Sequence, residues 1–306
     1  MKRKDILGIA DLTRAEINEI LSTANVMRDM LDRSEKSSSL RGKNVTTLFY
    51  ENSTRTRNSF ETAAKNLGAS TTGISVAASS VQKGESLVDT GKTLDALKTD
   101  VIVIRHSVAG SPRLLAGVVK ASVINAGDGM NEHPSQALLD GLTAQRHFGN
   151  LSGKKVVIVG DIKHSRVARS DVRLFGMLGA SVTVCAPYSL LPCGIDGLGC
   201  DVSTDFDKSI RGANIVIPLR VQRERIFGAY FSTQEEYHEY YGVTQKRLGL
   251  CADDYIVMHP GPINRGSEIT GEVADGDKSM ILEQVTNGVA VRMAMLDLLI
   301  NGDNIL

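Results

Sequence analysis

Neither sign of charge is in excess. Over 306 residues, 35 Lys and Arg stand against 35 Asp and Glu, so the formal net charge is zero. A surface built as a whole to hold the phosphates of DNA or RNA needs a basic face, and this composition argues against one. A local basic pocket remains open. No apolar run approaches the roughly 20 residues needed to cross a bilayer, which excludes a transmembrane chain.

Cysteine is sparse. Cys185, Cys193, Cys200 and Cys251 include no CxxC pair, which argues for structural thiols rather than a disulfide framework or a zinc site. The six histidines show neither HExxH nor short HxH spacing, so no metal is expected. Nucleotide signatures are lacking too: there is no GxxxxGK followed by Ser or Thr, and Gly160 alone is no GxGxxG fingerprint. Residues 1–8 are basic but have no apolar core or small-residue cleavage site of a signal peptide, so a cytoplasmic protein is expected.

The length suits two domains, each able to bury its own core. Short β-branched runs alternate with longer amphipathic segments, the pattern of strand-crossover-strand units and a parallel α/β sheet. Strands are expected at Asn44 to Tyr50, Asp100 to Arg105, Ala121 to Ala126, Lys155 to Gly160, Ser181 to Ala186, Asn214 to Leu219 and Tyr255 to His259. Helical spacing marks Ser53 to Leu67, Ser86 to Leu97, Ser135 to Phe148 and Arg166 to Leu178, with Gly68 and Gly179 where helix C-caps belong. Asn150 to Gly153 resembles a domain boundary. A last periodic segment, about Met280 to Ile300, could fold back on either half.

Ligands of open α/β sheets bind outside the carboxyl ends of the strands. At those ends stand Glu51 to Arg57, Arg105 to Ser107, Gly127 to Gln136, Gly160 to Arg166, Pro218 to Arg225 and His259 to Arg265. A neutral chain has gathered guanidinium groups, imidazoles and hydroxyls there, so the expected ligand is anionic. Ser53-Thr54-Arg55-Thr56-Arg57 is the sharpest of these signals. Ser53 is a good N-cap, and arginines beside the positive end of a helix are misplaced by about 0.3–1 kcal/mol each unless an anion sits there. A phosphate reverses that sign, since backbone N–H groups, hydroxyls and a guanidinium fork all donate to it. The alternative is a capped surface helix with two solvated arginines. Pro134 fits the first position of a helix and places His133 just before it. Lys83, in a Ser-rich stretch, is either a solvated loop residue or part of a loop that closes over a ligand. Arg220 and Gln222 share a face of an extended segment.

These motifs in this order resemble the transcarbamoylase family. Ser53 to Arg57, Arg105, His133-Pro134-Ser135-Gln136 and Arg166 carry the superfamily likeness, while Arg220-Val221-Gln222 and His259-Pro260-Gly261-Pro262 point to its aspartate branch. The DxxxSMG and HCLP motifs of the ornithine branch are missing. The resemblance implies an α/β fold of two domains, each a parallel β-sheet flanked by helices, with the active site in the cleft between them. Residues 1–140 would form the carbamoyl phosphate domain, with a C-terminal helix of about 286–306 packing back on it, and 150–285 the aspartate domain.

The implied reaction moves the carbamoyl group of carbamoyl phosphate to the α-amine of L-aspartate, giving N-carbamoyl-L-aspartate and phosphate, a step of pyrimidine biosynthesis. No cofactor is implied. The resemblance makes Ser53, Thr54, Arg55 and Thr56 the phosphate-binding turn, and groups Arg105, His133 and Gln136 with Thr56 around the carbamoyl moiety. It makes Arg166, Arg220 and Gln222 binders of the aspartate carboxylates, and places the backbone of Gly261 and Pro262 near the transferred group. Ser79, or the adjoining Ser80, and Lys83 would reach a neighbouring subunit's site in a homotrimer, with Lys83 touching both substrates. A regulatory chain or pathway partner is left open. Gly261 departs from the larger apolar residue of some members, which puts the stiffness of that loop in doubt. A catalytically silent anion-binding subunit and a nucleotide-binding dehydrogenase are the readings from other classes.

Overall fold

The computed structural model describes residues 1–75, 84–221 and 233–302. It divides into two compact units, Met1–Leu142 with Thr286–Leu306, and Thr143–Val285. The chain leaves the first unit within helix α5 and returns to it within α11.

The first unit contains α1 (Arg14–Asp32), β1 (Asn44–Phe49), α2 (Thr54–Asn66), β2 (Ser70–Ser75), α3 (Leu87–Ala96), β3 (Val101–His106), α4 (Ser111–Ala116), β4 (Ser122–Asp128) and the start of α5 (Pro134–Phe148). All its strands are parallel, in the order β2-β1-β3-β4. Both faces of the central strands are covered, so β1 and β3 run as near-continuous apolar or Thr stretches. Leu48, Ile102, Ile104 and Val123 build the core against Leu94 of α3 and Leu115 of α4. Helix α1 is a product of local sequence: the Thr13 hydroxyl accepts from Glu16 N, and the Glu16 carboxylate accepts from Thr13 N at 2.8 Å, a reciprocal cap.

The second unit holds β5 (Lys155–Gly160), α6 (Arg166–Met177), β6 (Ser181–Cys185), β7 (Asp201–Ser203), α7 (Phe206–Ser209), β8 (Ile215–Leu219), α8 (Gln234–Tyr241), α9 (Gln245–Leu248), β9 (Ile256–Val257), α10 (Gly271–Ala274) and the first turn of α11 (Ile281–Asn301). Its parallel sheet has the order β7-β6-β5-β8-β9. Val157, Val159, Val216 and Val257 pack with Phe206, Leu248 and Val273.

Each half is thus a parallel sheet with helical crossovers. Eight elements have no counterpart among the expected segments: α1, α4, α7, α8, α9, α10, β2 and β7. Helix α1 has no expected counterpart, although its cap was legible. Strands β2 and β7 lie at sheet edges, where Ser-Thr-Thr-Gly-Ile-Ser and Asp-Val-Ser show little of the apolar run that marks a central strand. Gly68 and Gly179 adopt φ of +81° and +89°, the left-handed conformation a helix end asks of glycine.

Candidate active site

In the first unit, strand register gathers the predicted residues. Phe49 pairs with Arg105 and His106 with Asp128, so the carboxyl ends of β1, β3 and β4 lie side by side. Backbone bonds continue that alignment past the strands: Tyr50 N donates to Arg105 O and Gly129 N to His106 O, both at 2.9 Å. The turn at Ser53, the Arg105 side chain and the loop leading to His133 therefore share one edge of one sheet.

Helix α2 starts there. Ser53 occupies the N-cap position in extended backbone, but its hydroxyl does not cap the helix; it donates to the Thr56 hydroxyl at 3.0 Å. That corrects the expectation of a side-chain cap, and the first turn has no carboxylate. The two arginines part company. Arg57 lies with its guanidinium 5.2 Å from the centre of the Phe49 ring and donates to Ile74 O, whereas Arg55 is exposed at the helix start. A cation packed on the sheet is a structural arginine. Thr54 is exposed and Thr56 buried.

Arg105 is half-buried and held on both prongs of its fork. Nη2 meets Glu51 Oε1 at 3.4 Å and Nη1 donates to Ala126 O at 3.4 Å. Both contacts are long for charge-assisted bonds. The loop after β4 is organised by Asp128, whose carboxylate accepts from Gly110 N at 2.7 Å, Asn125 Nδ2 at 2.8 Å and Glu132 N at 3.1 Å. Glu132 in turn accepts from Ile9 N, tying the chain start to this loop. His133 follows, buried, with Nδ1 at 3.4 Å from Ser135 Oγ. One turn into α5, Gln136 Nε2 donates to Asp140. His106, beside Arg105, accepts from Val108 N through Nδ1, and burial pulls its pKa below the ordinary imidazole value.

The second unit repeats the arrangement. Gly160 at the end of β5 pairs with Leu219 at the end of β8, and β9 lies beyond β8. This places Arg166, Arg220 and the His259 turn at one sheet edge. Gly160 has φ +129°, and a Cβ there would stand 2.5 Å from Leu219 O, so only glycine lets the strand end this close to its neighbour. Asp161 shapes the following loop: its carboxylate accepts from the His164 ring at 2.8 Å and from His164 N at 3.2 Å. Ser165 then caps α6 on Ala168 N, which sets buried Arg166 in the first turn. Arg220 is half-buried just past β8.

The turn at His259 is built from within. Nδ1 accepts from Gly261 N at 2.7 Å, Nε2 donates to Glu268 Oε1 at 3.2 Å, and the His259 backbone N–H donates to Gln284 Oε1 at 2.8 Å. Gly261 has φ +63° and is joined to Pro262 by a cis peptide bond. The motif asks for glycine or proline at such a place, but Glu268 and Gln284 could not be read from it.

Ser79, Lys83 and Gln222, all named by the sequence, lie outside the described residues. Glu51, Asp128, Asp140, Asp161 and Glu268 are the site residues that sequence reasoning passed over as players. Each is an acceptor that fixes a basic or amide group, and only Gln136 with Asp140, one helical turn apart, left a local trace. Among the described residues no group of three or more His, Cys, Asp or Glu could hold a metal ion. No described helix is long and apolar enough to cross a membrane.

Two parallel-sheet units that line their strand ends with guanidinium and hydroxyl groups define an α/β fold for anionic ligands, and the family models agree. The carbamoyl phosphate-binding domain of the aspartate/ornithine carbamoyltransferases matches residues 4–146 and their Asp/Orn-binding domain residues 152–299. The chain belongs to this family of transferases. It is 53% identical, over 99% of its length and 98% of the relative's, to the aspartate carbamoyltransferase catalytic subunit of Acetivibrio thermocellus. Identity to that of Ruminiclostridium cellulolyticum is 52% over 98% of this chain and 96% of the other.

Among solved structures, Trypanosoma cruzi aspartate transcarbamoylase in complex with carbamoyl phosphate and aspartate superposes with a TM-score of 0.86 at 31% identity, covering 96% of each chain. Pyrococcus furiosus ornithine carbamoyltransferase superposes with 0.87 at 28%, covering 98% of this chain and 97% of that one. Backbone shape therefore does not separate the two acceptors, and side chains have to.

Proposed function

We propose that the protein is an aspartate carbamoyltransferase, transferring the carbamoyl group of carbamoyl phosphate to the α-amine of L-aspartate in pyrimidine synthesis. The observation that carries this reading is the pair of sheet edges. One bears Arg55, Thr56, Arg105, His133 and Gln136, and the other bears Arg166 and Arg220 where a dicarboxylic acceptor needs cations. Relatives above 50% identity named for aspartate, and the Arg220-Val221-Gln222 and His259-Pro260-Gly261-Pro262 motifs, favour aspartate over ornithine.

In this reading the first turn of α2 takes the phosphate: backbone N–H groups at the helix start, the hydroxyls of Ser53, Thr54 and Thr56, and the Arg55 fork donate to it. Arg105, Thr56 and His133 donate to the carbamoyl oxygen as charge grows on it in the tetrahedral transition state. Gln136 accepts from the carbamoyl amino group. Arg166, Arg220 and Gln222 hold the two carboxylates of aspartate, and the Gly261 and Pro262 backbone lies near the transferred group. The amine attacks the carbamoyl carbon, the C–O bond to phosphate breaks, and the departing phosphate takes the amine proton. No protein base is required. Orienting both reactants contributes several kcal/mol, with roughly 7–11 as the ceiling.

The reading includes a homotrimer in which Ser79 and Lys83 complete a neighbour's site, and the cytoplasm as the compartment that supplies two charged, membrane-impermeant substrates. Its support is the family motif order. The test is product analysis after incubating purified protein with carbamoyl phosphate and either aspartate or ornithine. N-carbamoyl-L-aspartate is the expected product; citrulline, or no product, would sink the reading.

A further inference from the structure

Gln136 is held from behind. Its Nε2 donates to both carboxylate oxygens of Asp140, at 3.1 and 3.3 Å, and Asp140 is fully buried. A carboxylate only accepts, so this contact selects one of the two amide orientations, with NH2 toward Asp140 and Oε1 away from it. Asp140 is also the carboxylate whose charge supports the guanidinium of Arg292 on α11. Arg292 is 4% exposed, lies 5.1 Å from the centre of the Phe60 ring and donates through Nη1 to Ser59 Oγ at 3.1 Å. Ser59 and Phe60 belong to α2, the helix that begins at Ser53. One buried network thus links the amide orientation of Gln136 to the helix that carries the phosphate turn.

We propose that Asp140 is a positioning residue that sets Gln136 to accept, rather than donate, toward the bound donor, so that the site distinguishes a carbamoyl amino group from a methyl. This rests on Gln136 being a carbamoyl phosphate ligand. Carbamoyl phosphate and acetyl phosphate have nearly the same shape, but the first offers N–H groups where the second offers C–H. An accepting Oε1 gains a hydrogen bond from the first and is left unmatched by the second. Once the amide is free to turn over, its NH2 meets the carbamoyl NH2 and the preference disappears.

Calorimetry on the full chain, with carbamoyl phosphate and acetyl phosphate as the two probes, tests this. In Asp140→Asn the new side chain offers Gln136 a donor as well as an acceptor, so both orientations become available. D140N/R292Q removes both buried charges and is measured beside it, because D140N alone leaves Arg292 without its counter-charge. The ratio of the two dissociation constants should shrink about tenfold in each variant, the size of one lost hydrogen bond. A wild-type ratio in either folded variant overturns the proposal. So does equal weakening of both probes, which is what a merely structural role produces. Wild-type protein that binds neither probe removes instead the reading on which the proposal rests.

Discussion

Glu268 holds the His259 imidazole in one tautomer. Its Oε1 accepts from His259 Nε2–H at 3.2 Å and from Asn264 N–H at 2.6 Å, which leaves Nδ1 to accept from Gly261 N at 2.7 Å. Glu268 is 1% and His259 3% exposed, so these bonds form away from water. The turn that presents Gly261 and Pro262 is therefore set by a carboxylate outside the motif.

Glu268→Ala leaves the buried His259 Nε2–H unmatched and should destabilise the protein by about 1–3 kcal/mol, whereas Glu268→Gln, which keeps an acceptor at Oε1, should lose less than half of that. Urea unfolding of both variants measures the difference, and equal losses would show that the acceptor is not what matters.

Arg55 and Arg220 stand on different units, and their substitutions should separate in steady-state kinetics. Arg55→Ala should lower kcat/KM for carbamoyl phosphate by about 10²–10³, the loss typical of one donor to transition-state charge. Arg220→Ala should chiefly raise the aspartate KM. Arg57→Ala is the control: packed on Phe49, it should affect stability more than turnover.

If Lys83 serves a neighbour's site, inactive Lys83→Ala and Arg55→Ala chains should regain activity when mixed. A trimer with three shared sites can recover at most one intact site in three, so about a third of wild-type activity is the ceiling. Hybrid trimers confirmed by mass spectrometry, yet showing no activity, would end the shared-site idea.

His106 predicts a pH effect on stability. Burial lowers its folded-state pKa below the ordinary value of about 6.5, which the unfolded chain retains. Below that pH the unfolded state binds a proton that the folded state does not, so stability falls as the pH drops from about 6.5 toward the folded pKa. His106→Gln should flatten this part of the curve, as seen in unfolding midpoints between pH 7 and 5. A slope unchanged by the substitution would assign the acid sensitivity elsewhere.

The thiols should sort by burial. Cys185 and Cys251 are pushed up to about 11 by desolvation, and Cys200 is raised for the same reason, while Cys193 is exposed. A thiol reagent at pH 8 should modify Cys193 first, and Cys193→Ser should remove the fast phase.

The local sequence was enough to determine helices α2, α3, α5 and α6, the strands buried on both faces and the cluster of basic and hydroxyl groups at strand ends. Apolar periodicity and capping are properties of neighbouring residues, so they show in a single segment. The polar edge strands β2 and β7 did not show, because what makes them strands is the adjacent β1 and β6. Composition and spacing did not tell Arg55 from Arg57, two arginines in one motif, and only the resemblance set Arg55 apart. In the fold, packing against Phe49 separates them.

Tertiary structure also supplied every acceptor behind the basic groups: Glu51 for Arg105, Asp128 for the loop to His133, and Glu268 for His259. A buried donor must find an acceptor, but which carboxylate it finds depends on strand register and helix packing that bring distant segments together. Charge type was thus written in the chain, and orientation only in the fold.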